Sequence, residues 1–404
     1  MGRHWGLGIL ENGGEGLDSD WGTYVDRIQL TARLWGIYFE LGYGWVSTGA
    51  TSEHPAAAFG QPYNMSSSDD VTEISLAIFS KPLTDAERKI RTEKLVVRNK
   101  PQLDWGLYAV YRRQKLELAE DMWNYYQAGK VNPSVAGTPY GTGVDCDKET
   151  CGYDSLALIN RDAWTVTPDI WLRLDWVPES RKRVRLELEA AAVFGHIGNI
   201  NQKPFGADGQ ALGDVPMDIR SFGLAFEGEY QTKNLTFGAY AGYASGDGSQ
   251  YFGFLDHTNF AYPNAKTNHN ETLTSFYFNP DYRIDNILFR NVVGTVTDAW
   301  YVMPFVQYDL FDSEKEDLAG RLELLYARAV EADATPGHAS NLGVGTNVKL
   351  YYQDKGLFYA GLEWSMLWPL DAFNLHYQAT PASAPVEQSA HWSTALRANI
   401  GIMF

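Results

Sequence analysis

The feature that most constrains this chain is the period of its last segment, "HWSTALRANIGIMF". One parity reads Trp392, Thr394, Leu396, Ala398, Ile400, Ile402 and Phe404; the other reads His391, Ser393, Ala395, Arg397, Asn399, Gly401 and Met403. A side-chain period of two, with one apolar and one mostly polar face, belongs to a β-strand. The split recurs upstream. In "NLGVGTNVKLYY" the apolar set is Leu342, Val344, Thr346, Val348, Leu350 and Tyr352, and in "LFYAGLEWSMLW" it is Phe358, Ala360, Leu362, Trp364, Met366 and Trp368. No run of about 18 apolar residues exists, so a helical membrane span is excluded, whereas alternating strands escape a hydropathy window.

Tight polar turns join several of these segments: "PESRKR" at 178–183, "QTKN" at 231–234, "DSEKED" at 312–317 and "QDKG" at 353–356. Longer Gly-, Asn- and Asp-rich connections separate the resulting hairpins, near 50–69, 118–159, 198–216, 248–295 and 371–390. The pattern predicts about fourteen strands, near 2–11, 26–35, 37–49, 70–80, 102–117, 163–177, 183–197, 217–230, 234–247, 296–310, 318–332, 341–353, 357–370 and 391–404. Extra strands are admitted near 274–292, and 81–101 is an unusually long connection on the short-turn side with room for a helix. Short turns at one end and long loops at the other are the asymmetry of a transmembrane barrel, with periplasmic turns and extracellular loops. The expected fold class is therefore all-β: a transmembrane antiparallel up-and-down β-barrel with about 14 visible strands (14–18 overall), forming one domain over 1–404. A soluble sandwich or propeller would put its aliphatic face inside and its polar face out. Here Trp45, Trp105, Trp164, Trp176, Trp364, Trp368 and Trp392 fit interfacial girdles instead.

Parity then assigns an inward face. It carries Arg27, Arg33 and Glu40; Glu73; Asp104 and Arg112; Asp169, Arg173 and Asp175; and Arg183, Arg185, Glu187 and Glu189. Further along it carries Glu227 and Glu229; Arg321 and Glu323; Lys349; Glu363; and Arg397. Toward lipid each Arg or Lys near the midplane would cost roughly 2–4 kcal/mol, so these charges are expected to line a wet lumen. Acids and bases nearly balance there, and ladders of opposite charge also brace neighbouring strands.

The whole chain has 50 Asp and Glu against 33 Lys and Arg, a formal charge of −17, which argues against a nucleic-acid partner. Cys146 and Cys151, in "VDCDKETCGYD", suit a small disulfide in an oxidising compartment. Eight histidines form neither HExxH nor GxSxG, so no enzyme, metal centre or cofactor is expected.

The opening "GRHWGLGILENGGEGLDSDWG" has the glycines of a phosphate loop but neither the preceding buried strand nor the following amphipathic helix. Read as a strand, it sends Trp5, Leu7 and Ile9 to lipid and His4, Gly6 and Gly8 to the lumen, with "ENGGEG" turning outward. Glu11, Asp18 and Asp20 lack an EF-hand register and fit a solvated turn better than a Ca²⁺ loop. Met1, Gly2, Arg3 and His4 lack the pattern of a secretory leader, and the abrupt start hints at preceding strands.

In its turn-and-loop asymmetry, charged inner face and terminal aromatic, the chain resembles bacterial outer-membrane porins. The segment "GRHWGLGILENGG…LDSDWGTYVDRI" also resembles one recurring in an uncharacterised family of myxobacterial-type outer-membrane barrels. The resemblance implies residence in the outer membrane of a Gram-negative bacterium, contact with its lipid, and recognition of the strand ending at Phe404 by the barrel-assembly machinery. It also implies a passive channel for small hydrophilic solutes. Two alternatives stand beside it. One is an exopolysaccharide exporter of the alginate type, which the balanced lumen fits less well. The other is a structural or interaction barrel with a plugged lumen.

Overall fold

A computed structural model describes residues 3–14, 19–47, 67–118, 158–201, 213–248, 272–313, 316–354, 358–377 and 386–402. The alternating segments form β1 (Asp26–Leu34), β2 (Ile37–Ser47), β3 (Val71–Ser80), β4 (Gln102–Leu118), β5 (Leu158–Trp176), β6 (Arg183–Ile197), β7 (Met217–Gln231) and β8 (Leu235–Ala244). A two-residue strand, β9 (Thr272–Leu273), precedes β10 (Ala299–Asp312), β11 (Glu316–Ala329), β12 (Asn341–Asp354) and β13 (Phe358–Pro369). A small separate hairpin, β14 (Leu375–Tyr377) and β15 (Val386–Gln388), leads to β16 (Ser393–Ile402).

These strands make one 14-stranded sheet. Its path is β1-β2-β3-β4-β5-β6-β7-β8-β10-β11-β12-β13-β16, with β9 added in parallel to β7. Every ladder along the path is antiparallel, so the architecture is an up-and-down meander. Thirteen strands alternating in direction leave β1 and β16 pointing the same way, and among the described residues no ladder joins them. The β1–β2 turn is Trp35–Gly36, both at positive φ (52° and 84°), the conformation that a two-residue hairpin demands.

Register explains the outer face. Leu322 pairs with Val348, Val348 with Trp364 and Trp364 with Leu396, a row of large apolar side chains that are all exposed. Equivalent exposed rows continue through Ile28, Leu41, Ile74, Leu107, Ile170 and Leu186, and the exposed Trp45, Trp164, Trp176, Trp364, Trp368 and Trp392 share that outward side. Water-soluble proteins rarely show continuous apolar patches above a few hundred Å². A sheet clad this way all along its path belongs against hydrocarbon, where only helices and barrels satisfy their backbone. One assignment differs. Leu342 faces inward and is fully buried, because a register shift at Ala327/Arg328 turns it out of the lipid row.

The first segment differs more. Residues 3–14 form no strand; they run as turns and bends inside the curl of the sheet. Gly6, Gly8 and Gly14 all have positive φ (57°, 87° and 67°), and Gly8 N–H closes a turn onto the Trp5 carbonyl at 2.9 Å. The alternation of Trp5, Leu7 and Ile9 that reads as a strand is broken by glycines serving as turn residues. Trp5 and Ile9 consequently point to core, not lipid. In place of the admitted extra strands near 274–292 stands largely buried chain with a helical turn at Leu288–Val292, preceded by β9 and touched by a bridge between Tyr277 and Thr297.

The connection after β3 carries the helix α1 (Asp85–Thr92). Thr84 and Glu87 form a capping box: the Thr84 hydroxyl accepts from Glu87 N–H at 3.3 Å, and the Glu87 carboxylate accepts from Thr84 N–H at 3.1 Å. Cys146, Cys151 and Phe404 lie outside the described residues.

Candidate functional site

The charged residues that parity turned inward occupy successive rows of the inner face. At the end bearing the short turns, one row runs Arg183, Gln231, Thr236, Gln307, Arg321, Lys349, Glu363, Arg397 across eight strands. The next row holds Asp175, Arg185 and Glu229, and further round Glu323 with Asn347 and Ser365. Asp104, Arg173, Glu187 and Glu227 share a third. Glu189 lies a row deeper opposite Trp171, and Asp169 deeper still opposite Tyr108. Arg33, Arg27, Glu40, Glu73 and Arg112 complete the same face on β1–β4.

Ion pairs consume most of these groups. Arg173 Nη2 meets Asp104 at 2.7 Å, Arg183 Nη2 meets Asp175 at 2.8 Å, and Arg185 pairs with Glu187. Arg112 holds Glu73 at 3.0 Å, Arg321 holds Glu323 at 2.7 Å, and Lys349 bridges Glu323 and Glu363 at 3.1 and 3.6 Å. Glu229 accepts the Tyr240 hydroxyl at 2.7 Å, and Glu40 accepts from Thr31 at 3.3 Å. Helix α1 joins the same network: Arg91 Nη2 contacts Asp104 at 2.9 Å and Asp175 at 2.7 Å. Arg91 was not among the sequence candidates, because a periodicity argument assigns faces to strands and is blind to a helix folding under the sheet. On the other side of α1, Glu87 accepts the Tyr38 hydroxyl at 2.8 Å and pairs with Arg33 at 2.6 Å. The backbone N–H of Thr84 and that hydroxyl hold the Glu87 carboxyl down at about 2.

The lumen itself is occupied. Trp5 sits between Tyr108, Phe79 and Trp171, with ring centroids 5.2, 5.9 and 6.5 Å away. Its Nε1–H donates to Asp169 at 3.0 Å, and Gly8 N–H donates to Glu189 at 2.9 Å. Glu11 is buried where Arg3 meets it at 3.1 Å and the Tyr108 hydroxyl donates to it at 2.6 Å. The solvated-turn reading of Glu11 is thus replaced by a buried anchor. Gly106 makes room for Trp5, since a Cβ there would lie 2.6 Å from the indole Cη2.

A second inserted segment, 274–297, packs beside the first. Phe276, Phe278, Tyr282, Ile284, Ile287, Leu288 and Phe289 are all buried and share one apolar core with Ile9. The wall opposite is a row of small residues at matched register: Ala191, Gly223, Ala244, Ala299 and Ala329, on five successive strands of the path. A Cβ on Gly223 would overlap the Phe276 ring. Asp285 fixes the turn below by accepting from the N–H groups of Ile287, Leu288 and Phe289 at 2.9, 2.6 and 2.8 Å. The lumen that charge alone predicted to be wet therefore contains a dry core. Long loops bring in the apolar side chains that the strands lack.

The two segments are tied together. Asn279 N–H donates to the Ile9 carbonyl at 2.7 Å, and its side chain donates to Thr23 Oγ1 at 2.9 Å. Asp281 accepts from the N–H groups of Asp20 and Trp21 at 3.1 Å and from the Ser19 hydroxyl. Asp20 meets Arg283 and Arg290 at 2.8 and 2.7 Å, and the Arg290 hydrogen bond holds its carboxyl below the usual carboxylate range. Residues 3–14, 19–25 and 274–297 form one composite plug.

Among the described residues, two cavities lie at the turn end. One, of about 150 Å³, is lined by Arg183, Arg185, Glu229, Gln231, Thr236, Gln307 and Arg321. The other, of about 490 Å³, lies against the two hairpin turns and shares Arg183 and Gln231 with the first.

No protein-family model matches the chain, and no curated protein matches it in sequence. Among solved structures it is similar to the siderophore receptor PiuA from Acinetobacter baumannii (11% identity, TM-score 0.39, covering 92% of this chain and 51% of that one). It is also similar to the copper transporter OprC (12%, TM-score 0.35, 92% and 56%) and to the CymD monoaromatic hydrocarbon channel (9%, TM-score 0.26, 94% and 82%). The chain spans about half the length of the siderophore receptor it matches.

Proposed function

We propose that this chain is a transport barrel of the bacterial outer membrane whose lumen is closed by its own plug and conducts small hydrophilic solutes when that plug is displaced. The turn end then faces the periplasm and the loop end the exterior. One observation carries the reading: Trp5, seated among Tyr108, Phe79 and Trp171, occupies the space that an open porin leaves to water. The apolar outer face supports the location, and the charged inner wall supports polar solutes as cargo. A permanently open porin is the weaker reading because the apolar core crosses the lumen. Planar-bilayer recording tests the proposal. Wild-type protein is expected to be silent or to open rarely, and loosening residues 3–25 should produce sustained ohmic conductance. Stable, fully open channels from wild-type protein would overturn gating by the plug.

A further inference from the structure

We infer that the two cavities at the turn end form an anion funnel, whose inner part is a binding site for a small oxyanion such as a phosphate-, sulfate- or carboxylate-bearing solute. The inference rests on the transport reading and adds a solute class to it.

The outer cavity is lined by Arg181, Lys182, Arg183 and Lys233, with no carboxylate among its described lining residues. Arg181 and Lys233 make no ion pair among the described residues, while Lys182 meets the exposed Glu179 at 2.8 Å. Two of these cations stand in the β5–β6 turn and one in the β7–β8 turn, so the turns themselves present the charge. Arg183 and Gln231 then pass from this cavity into the inner one. There Arg185 and Arg321 join Arg183; Glu229, which accepts the Tyr240 hydroxyl, is the carboxylate of the lining, and the arginines' own partners Asp175, Glu187 and Glu323 stand behind them. In a chain of net charge −17, the mouth of the funnel gathers Arg181, Lys182 and Lys233 on its two turns, a local excess of positive charge. Such clefts concentrate the counter-ion of their own charge.

The arginines are held and yet not used up. Arg183 spends Nη2 on Asp175, Arg321 spends Nε on Glu323, and Arg185 spends Nε and Nη2 on Glu187. Each guanidinium has five N–H donors, so several remain for a ligand. Arg321 is further fixed by lying 3.6 Å over the Phe305 ring. Gln231, Thr236 and Gln307 supply neutral donors on the same row, which suits an oxyanion with more acceptors than one arginine can fill. A volume of about 150 Å³ is room for one small tetrahedral anion with part of its hydration.

The test uses the full chain, folded in detergent, titrated calorimetrically with inorganic phosphate at low ionic strength. Sodium chloride matched for ionic strength serves as the reference. Saturable binding of one phosphate is expected, competed by sulfate. Arg183→Gln and Arg321→Gln should each weaken it about tenfold or more, the scale of a lost charged hydrogen bond. Lys233→Gln, on an exposed turn where folding is not at stake, should weaken it less and reduce its salt dependence. Should Arg321→Gln fail to fold, Arg183→Gln and Lys233→Gln decide the matter. Absence of saturable heat with both phosphate and sulfate in folded protein overturns the inference. So does unchanged affinity in Arg183→Gln. The titration reads binding with the plug in place, so a barrel found permanently open would sink the gating proposal and leave this result interpretable.

Discussion

Replacing Trp5 by alanine should open the barrel without unfolding it. The indole is buried and packed on three aromatic rings. Truncating a buried Trp costs ~3–5 kcal/mol, and leaving its Asp169 acceptor without a donor adds ~1–3 kcal/mol. Trp5 makes no ladder hydrogen bond, so the pairing of the strands survives the change. The loss therefore falls on docking of the segment 3–14 that carries Trp5. Taking about 4 kcal/mol as the net effect, the ratio of displaced to docked plug rises about a thousandfold. Bilayer recording should show a silent wild type and a conducting Trp5→Ala variant. Limited proteolysis should cut within 3–25 only in the variant, while heat-induced gel mobility of the barrel stays unchanged. A variant that remains silent with a protected N-terminal segment refutes the reasoning. A variant whose barrel melts before any conductance appears refutes it equally, since docking and sheet would then be one cooperative unit.

Gly106→Leu attacks the same contact from the wall and should reproduce the Trp5→Ala phenotype; combined with Trp5→Ala it should add little, because the clash has lost its partner. Acidification should release α1: the Glu87 carboxyl, ordinarily near 4.5, is held at about 2, so its contribution is complete above pH 4.5 and fades as pH falls toward 2. Hydrogen exchange over Asp85–Thr92 should show that loss, and Glu87→Gln should loosen the helix at neutral pH and abolish the dependence. Asp298 works with the opposite sign. Burial pushes its carboxyl up to about 7 from 3.8, so the fold is favoured while it is protonated and loses that advantage as pH rises through 7. Wild-type Tm should fall between pH 5 and pH 8 more than that of Asp298→Asn.

The membrane-facing architecture was legible because lipid enforces strict alternation. Val348, Trp364 and Leu396 are adjacent across strands for the reason that they alternate along them. The inner face was legible as a face, and Arg173, Asp104 and Asp175 do share one cluster. What the lumen contains was not. Trp5, Leu7 and Ile9 have the spacing of a strand, and only the positive φ at Gly6 and Gly8 distinguishes a plug from a wall. A signal did exist in the small inward residues. Ala191, Gly223 and Ala244 are adjacent only once register is known, and together they mark where something else packs. Arg91 lay beyond reach, since its segment is too short to define a face and only the fold brings it to both Asp104 and the distant Asp175.

The row of small residues also changes what opening means. Ala191, Gly223, Ala244, Ala299 and Ala329 do not line a passage that a cork later obstructs; they are one half of a hydrophobic core whose other half is Phe276, Phe278 and Leu288. To make a path, that core must be taken apart, so gating is thermodynamically a local unfolding with its own exposed area and heat capacity. Sub-denaturing urea should then raise open probability with a slope proportional to the apolar surface uncovered, much as it would populate a partially unfolded soluble domain.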